Sequence, residues 1–301
     1  MTPEIIAASP QGVAGIATVC AMLAANPDDA DVPLAERRAR LAAFAAQSPP
    51  PAELVVEDRI GGVRVLRVTP PDARGRIFYL HGGAYVLGSA DTHLRLGAAY
   101  ARTAGAQALV VDYRLAPEHP YPAALDDAAA VWAEATRDVT PTALVGDSAG
   151  GGLALALAIR IRDLGMMPPV ALAVTSPWVD LTLSAPSIVA RANVELMLSK
   201  RGLALDADRY RGALPTSDPL VSPLFADLAG LPPTLIQVGE AEILHDDAGT
   251  LAACLDTAGV PVRLQIWQAM GHAWAAFGDA VPEAAASVDA LGQFVRERLR
   301  A

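Results

Sequence analysis

The sequence predicts an α/β protein with a mostly parallel central sheet of about eight strands, helices on both faces and a helical cap. Three observations carry this expectation. Short apolar runs alternate with helical patterns from residue 76 to residue 299. The turn Gly146-Asp147-Ser148-Ala149-Gly150 joins one such run to a Pro-free Ala/Leu-rich segment. One connection, 180–233, holds no convincing strand and is too long for a plain loop.

Taken in order, residues 1–50 read as alanine-rich and helical, most clearly over 34–47, with Ser48-Pro49-Pro50-Pro51 as a stop. Residues 54–59 and 63–68 read as strands joined by Gly61-Gly62. The second alternates apolar and basic residues, as an edge strand does. Strands are then expected at 76–80, 108–111, 142–145, 170–175, 234–238 and 262–267. Helices are expected between and after them at 94–104, 123–136, 152–164, 246–258 and 283–299. The strand 262–267 is expected at an exposed sheet edge. Within the insertion, 188–203 and 205–211 are expected to be helical. The insertion leaves the sheet near the C-terminal ends of its strands, so it and residues 1–50 are read as a cap over a catalytic domain spanning 51–301.

Composition narrows the function. The chain has 301 residues and a net charge of −10, which makes a nucleic-acid partner a poor fit. Its two cysteines, Cys20 and Cys254, form neither a disulfide framework nor a metal-binding spacing. Cys254 falls in a helical pattern and is expected to be buried as a small apolar residue. No Lys or Arg precedes Arg37, so the basic region of a secretory signal is missing. No uninterrupted apolar run reaches the ~18 residues of a membrane span, so a cytoplasmic protein is expected.

The segment 146–150 reads G-x-S-x-G between a strand and a helix, the setting of a nucleophile elbow. Such a turn strains the serine backbone, exposes its hydroxyl at a helix N-terminus, and admits only small neighbours. A serine hydroxyl needs a base, and the base needs an orienting carboxylate. In the hydrolase plan the acid and then the histidine follow the serine. Only His245 and His272 lie after Ser148. His272, in a turn after the last strand, is the better base, while His245 stands at the start of a helical pattern. The acid is expected on the loop after strand 234–238, which offers Glu240, Glu242, Asp246 and Asp247. The two aspartates read as first-turn helix residues, which leaves Glu240 and Glu242. His81-Gly82-Gly83-Ala84-Tyr85 follows strand 76–80, where the plan places its oxyanion loop. The N–H groups of Gly82, Gly83 and Ala149 are therefore expected to hold the oxyanion. Tyr85 and Asp147 are expected at the substrate.

These motifs, with Asp112-Tyr113-Arg114-Leu115-Ala116-Pro117-Glu118, His119-Pro120-Tyr121-Pro122, Ser176-Pro177-Trp178 and Asp218-Pro219-Leu220-Val221-Ser222-Pro223, resemble the hormone-sensitive-lipase-like α/β-hydrolases, the bacterial family IV esterases. The resemblance covers roughly residues 55–300 and implies an α/β-hydrolase fold. It also implies hydrolysis of short- to medium-chain carboxylesters without metal or cofactor, and a homodimer through the last strand. Two positions depart from the family pattern. Ala84 replaces the last glycine of HGGG, and Glu242-Ile243-Leu244-His245-Asp246 replaces D-P-L-x-D. That register implies Glu242 as the acid, with Asp246 as the fallback. An amidase or lactonase could use the same triad. A non-catalytic receptor on this fold would lack the histidine present here as His272.

Overall fold

The computed structural model describes residues 2–25, 31–47 and 49–300. Residues 26–30 of the expected helical segment, Ser48 of the expected stop and the side chain of Cys20 lie outside the described residues.

The sheet has nine strands: β1 (Glu4–Ile6), β2 (Leu54–Ile60), β3 (Val63–Thr69), β4 (Arg76–Leu80), β5 (Gln107–Val111), β6 (Thr142–Asp147), β7 (Leu172–Thr175), β8 (Thr234–Gly239) and β9 (Val262–Trp267). Their order is β1-β9-β8-β7-β6-β4-β5-β3-β2. All pairings are parallel except β2 with β3 and β3 with β5. The helices are α1 (Pro10–Ala25), α2 (Leu34–Ala46), α3 (Leu94–Ala104), α4 (Ala123–Ala135), α5 (Ala149–Asp163), α6 (Ser187–Ala190), α7 (Lys200–Tyr210), α8 (His245–Thr257) and α9 (Pro282–Leu299).

Strand alternation builds two cores. Phe78, Leu80, Leu144, Val174, Ile236 and Val238 face α4, α5 and α8 on one side. Ile77, Tyr79, Val110, Ala143, Val145 and Leu235 face α3 and α9 on the other. Successive residues of a strand point to opposite faces, so a central strand covered on both sides reads as a continuous apolar run. The expected α/β architecture with helices on both faces is therefore present.

Five expectations change. The sheet has nine strands because Glu4–Ile6, within the segment read as helical, pairs with Gln265–Trp267 of β9. Three residues are too few to show a period, and the free backbone groups of β9 decide their conformation. For the same reason β9 is not the sheet edge, and the strand through which a homodimer was expected to pair is already covered. β3 is not an edge either, because β2 lies outside it; its basic residues, Arg64 and Arg67, are half-exposed beside buried Val65, Leu66 and Val68. In the insertion, the expected helix 188–203 is broken into α6 and α7 by a turned segment. Ser199 caps the second piece by accepting from Gly202 N–H at 3.0 Å. Cys254 is half-buried rather than buried.

The parallel strands all end on one edge. Leu80 of β4 pairs with Gly146 of β6, and Asp147 of β6 pairs with Thr175 of β7. The loops after β4, β6, β7, β8 and β9 therefore converge, which is where an open parallel sheet forms its sites. Among the described residues no helix is long and apolar enough to cross a membrane.

Candidate active site

Ser148 stands between β6 and α5 with φ +53° and ψ −125°. A non-glycine residue there carries roughly 1–3 kcal/mol of backbone strain. The surroundings enforce it. Ser148 N–H donates to Thr175 O at 2.9 Å, and its carbonyl accepts from Gly151, Gly152 and Trp178 at 2.9, 3.2 and 3.0 Å. The two motif glycines answer to space. A Cβ on Gly146 would lie 2.3 Å from Gly150 O, and one on Gly150 would lie 2.1 Å from Leu80 O.

His272 follows β9 and Glu242 follows β8. The two loops touch closely, since a Cβ on Gly239 would lie 2.3 Å from Met270 O. His272 Nε2 is 2.9 Å from Ser148 Oγ, and its Nδ1 is 2.7 Å from Glu242 Oε2. The network assigns the tautomer: Nδ1–H donates to the carboxylate, and Nε2 accepts the serine O–H. Glu242 is fully buried. Its Oε1 accepts from Ser176 O–H at 2.8 Å and from Gly239 N–H at 2.6 Å. Burial pulls the His272 pKa down, but the hydrogen bond and charge of Glu242, helped by Glu195 and Asp147, outweigh it and leave it above the ordinary histidine value.

The other candidates on the acid loop lie elsewhere. Asp246 accepts from Ser187 N–H at 2.9 Å and from His245 Nδ1–H at 2.9 Å, tying α8 to the insertion. Glu240 accepts from Ala269 N–H at 3.2 Å. Asp247 packs in the first turn of α8, nearly fully buried, and burial pushes its carboxyl well above the usual range.

In the loop after β4, one expected oxyanion donor is taken. Gly82 N–H is already engaged, donating to Asp147 Oδ1 at 3.1 Å. No protein acceptor takes the N–H of Gly83, Ala84 or Ala149 among the described residues. Gly83 has φ +119° and Ala84 φ +53°, successive positive values that turn the chain sharply after Gly82. A Cβ on Gly83 would lie 2.3 Å from Leu87 O, which explains the glycine. His81 is structural: its Nδ1–H donates to Gly82 O at 2.7 Å, and its ring stacks on Tyr113 at 4.2 Å. Burial lowers its pKa to about 3, so it stays neutral.

Asp147 and Tyr85, expected at the substrate, make internal contacts in this structure. The Asp147 carboxylate faces inward, accepting from Tyr79 O–H at 2.6 Å as well as from Gly82, and supports the oxyanion loop from below. Tyr85 is buried, with its ring stacked on Tyr210 at 3.7 Å. Ser176, which joins the acid to the His272 loop by also accepting Ala273 N–H at 3.3 Å, carries no sign of that role in the local sequence.

A cavity of about 40 Å³ opens beside His272, lined by Ile16 and Val19 of α1, Leu196 and Met197 of the insertion, and Phe277. Arg37 of α2 binds Asp206 of α7 through paired bonds of 3.1 and 3.0 Å, both residues buried. The N-terminal helices and the insertion thus pack on each other and meet beside the histidine.

A family model described as alpha/beta hydrolase fold matches residues 77–276. An acetyl-hydrolase of Streptomyces hygroscopicus is 39% identical over 258 residues, covering 84% of this chain and 85% of the relative. An esterase of Acinetobacter venetianus is 37% identical over 241 residues, covering 78% and 80%. The crystal structure of an esterase from the bacterial hormone-sensitive lipase family superposes with a TM-score of 0.92 at 34% identity, covering 95% of this chain and 98% of that one. The chain belongs to the α/β-hydrolase family, as a member of its hormone-sensitive-lipase-like group of ester hydrolases.

Proposed function

We propose that this protein is a serine carboxylesterase acting on short- to medium-chain acyl esters through an acyl-enzyme. The observation that carries the reading is the unbroken chain Ser148 Oγ, His272 Nε2, His272 Nδ1, Glu242 Oε2, at 2.9 and 2.7 Å.

Ser148 Oγ attacks the ester carbonyl carbon while His272 Nε2 takes its proton. The carbonyl electron pair moves to oxygen, which the N–H groups of Gly83, Ala84 and Ala149 receive. Each such donor is worth roughly 3 kcal/mol in the transition state. The imidazolium is stabilised by the Glu242 carboxylate, which keeps the proton of Nδ1 in place. The tetrahedral adduct collapses, the C–O bond to the alcohol breaks, and His272 Nε2–H protonates the departing oxygen. Water then repeats the sequence on the acyl-enzyme and releases the acid. Residues 1–50 and 180–233 serve as the cap. Ile16 and Val19 of the first segment and Leu196 and Met197 of the second line a cavity that His272 also lines.

The test is hydrolysis of p-nitrophenyl esters from acetate to palmitate by the protein and by Ser148→Ala. Turnover that declines with chain length and vanishes in the variant is the expected result. Equal rates in the two proteins, or no turnover by the folded chain at any length, would overturn the reading.

A further inference from the structure

Glu195 lies in the turned segment between α6 and α7, far in sequence from every motif described above. It is only 8% exposed. Its Oε1 accepts the N–H groups of Leu196, Met197 and Leu198 at 2.9, 2.8 and 3.3 Å. Its Oε2 crosses to the acid loop and accepts Ile243 N–H at 3.2 Å. Ile243 directly follows Glu242. Both oxygens act only as acceptors, the pattern of an ionised carboxylate. Four backbone donors offset the cost of burying it without a cation as direct partner.

We propose that Glu195 is a positioning residue for the reaction: it clamps the cap segment to the backbone beside Glu242, the carboxylate that holds the His272 ring. This inference rests on the serine-esterase reading.

The geometry gives the carboxylate two tasks at once. It anchors the start of the run toward α7, where Leu196 and Met197 reach the cavity that His272 also lines. It also fixes the peptide between Glu242 and Ile243, one residue from the carboxylate that orients the imidazole. An error of about 1 Å in such a group costs about 10²-fold in rate. The charged groups around His272 come from several elements. Asp147 ends β6, Glu240 and Glu242 follow β8, Asp246 begins α8 with His245 on it, and Arg191 and Glu195 belong to the insertion. Arg191 is occupied on the carbonyl of Glu240. Glu242, Glu195 and Asp147 all act to raise the His272 pKa.

The test uses the full chain with Glu195→Gln and Glu195→Asp. Three quantities are measured: kcat and KM for p-nitrophenyl acetate across pH, thermal unfolding, and the His272 titration followed by NMR. Glu195→Gln is expected to move the His272 midpoint down by about half a pH unit. It is expected to lower kcat about tenfold with KM within about twofold. Glu195→Asp keeps the charge but cannot span to Ile243, so kcat falls while the midpoint stays. A purely structural residue would lower Tm and leave both the midpoint and plateau kcat unchanged, and that result overturns the proposal. If Glu195→Gln does not fold, Glu195→Asp decides through kcat alone, and wild-type kcat in that variant overturns the clamp. The NMR titration needs no turnover. An inactive wild-type chain whose His272 midpoint still follows Glu195 would sink the esterase reading and leave the coupling standing.

Discussion

The backbone N–H of Gly82 donates to the Asp147 carboxylate at 3.1 Å, joining the loop after β4 to the residue directly before Ser148. One buried side chain thus sets the distance between the loop after β4 and the turn at Ser148. Tyr79 O–H holds the same oxygen at 2.6 Å, so the carboxylate is fixed in turn by the sheet beneath it. Asp147→Ala removes the link and leaves Gly82 N–H unpaired. Its kcat should fall about 10²-fold with little change in KM. Asp147→Asn keeps an acceptor oxygen and should stay within about tenfold of wild type. Steady-state kinetics on one short ester checks both.

Replacing the acid should affect rate far more than stability. In Glu242→Gln an amide N–H₂ can face Nδ1 and favour the tautomer with the proton on Nε2. That tautomer cannot accept from Ser148, and a loss of about 10⁴-fold in kcat is expected. Asp246→Asn is the comparison. Asp246 bonds Ser187 and His245 rather than His272, so its activity should remain within a few-fold of wild type. The reverse ranking would move the acid to Asp246.

The pH dependence follows from the sign of two histidine shifts. Catalysis needs neutral His272, whose pKa is raised. The acid limb of kcat/KM should therefore have its midpoint above the ~6.5 of a free histidine. Stability behaves differently. The raised pKa of His272 contributes stability that is fully present below about pH 6.5 and lost as pH rises through the folded value. His81, lowered to about 3, has the opposite effect, because the unfolded chain binds its proton first as pH falls. Asp247, whose carboxyl is raised by burial, binds its proton first in the folded chain and opposes this loss, so the His81 contribution is read as the Tm difference between the protein and His81→Asn. Calorimetry from pH 7 toward 4 tests it; a difference that does not change in favour of the variant on acidification would contradict the burial of a neutral His81.

Arg37 and Asp206 form the buried link between the N-terminal helices and the insertion. Arg209 also donates to Asp206, at 2.6 Å. Arg37→Ala leaves a buried carboxylate short of a partner and should destabilise the chain by about 3–5 kcal/mol. If the two segments act as one cap, KM for longer esters should change more than KM for acetate. Denaturant unfolding and a chain-length series give the two readouts.

The alternation of strands and helices from residue 76 on, the turn at Ser148, the HGG loop and the late histidine were legible in the sequence. Each rests on local backbone demands, such as a positive φ that few residues accept or a space that admits only hydrogen. Local chemistry set Asp246 and Asp247 aside as first-turn helix residues, but the choice of Glu242 over Glu240, with Asp246 as fallback, came from resemblance alone. Only the tertiary structure brings Glu242, and not Asp246, within 2.7 Å of His272. The same holds for the oxyanion donors. The sequence marked Gly82 as permissive, but Asp147 occupies its N–H, and that contact joins residues 65 positions apart. β1 pairs with β9 across an even longer separation, too short a strand to show in its own residues. Glu195 carries no motif at all. The sequence by itself determined which chemistry the chain is built for, because a nucleophile elbow is a local backbone event. The tertiary structure decided which groups serve that chemistry, because hydrogen bonds between distant loops depend on where the sheet brings their ends together.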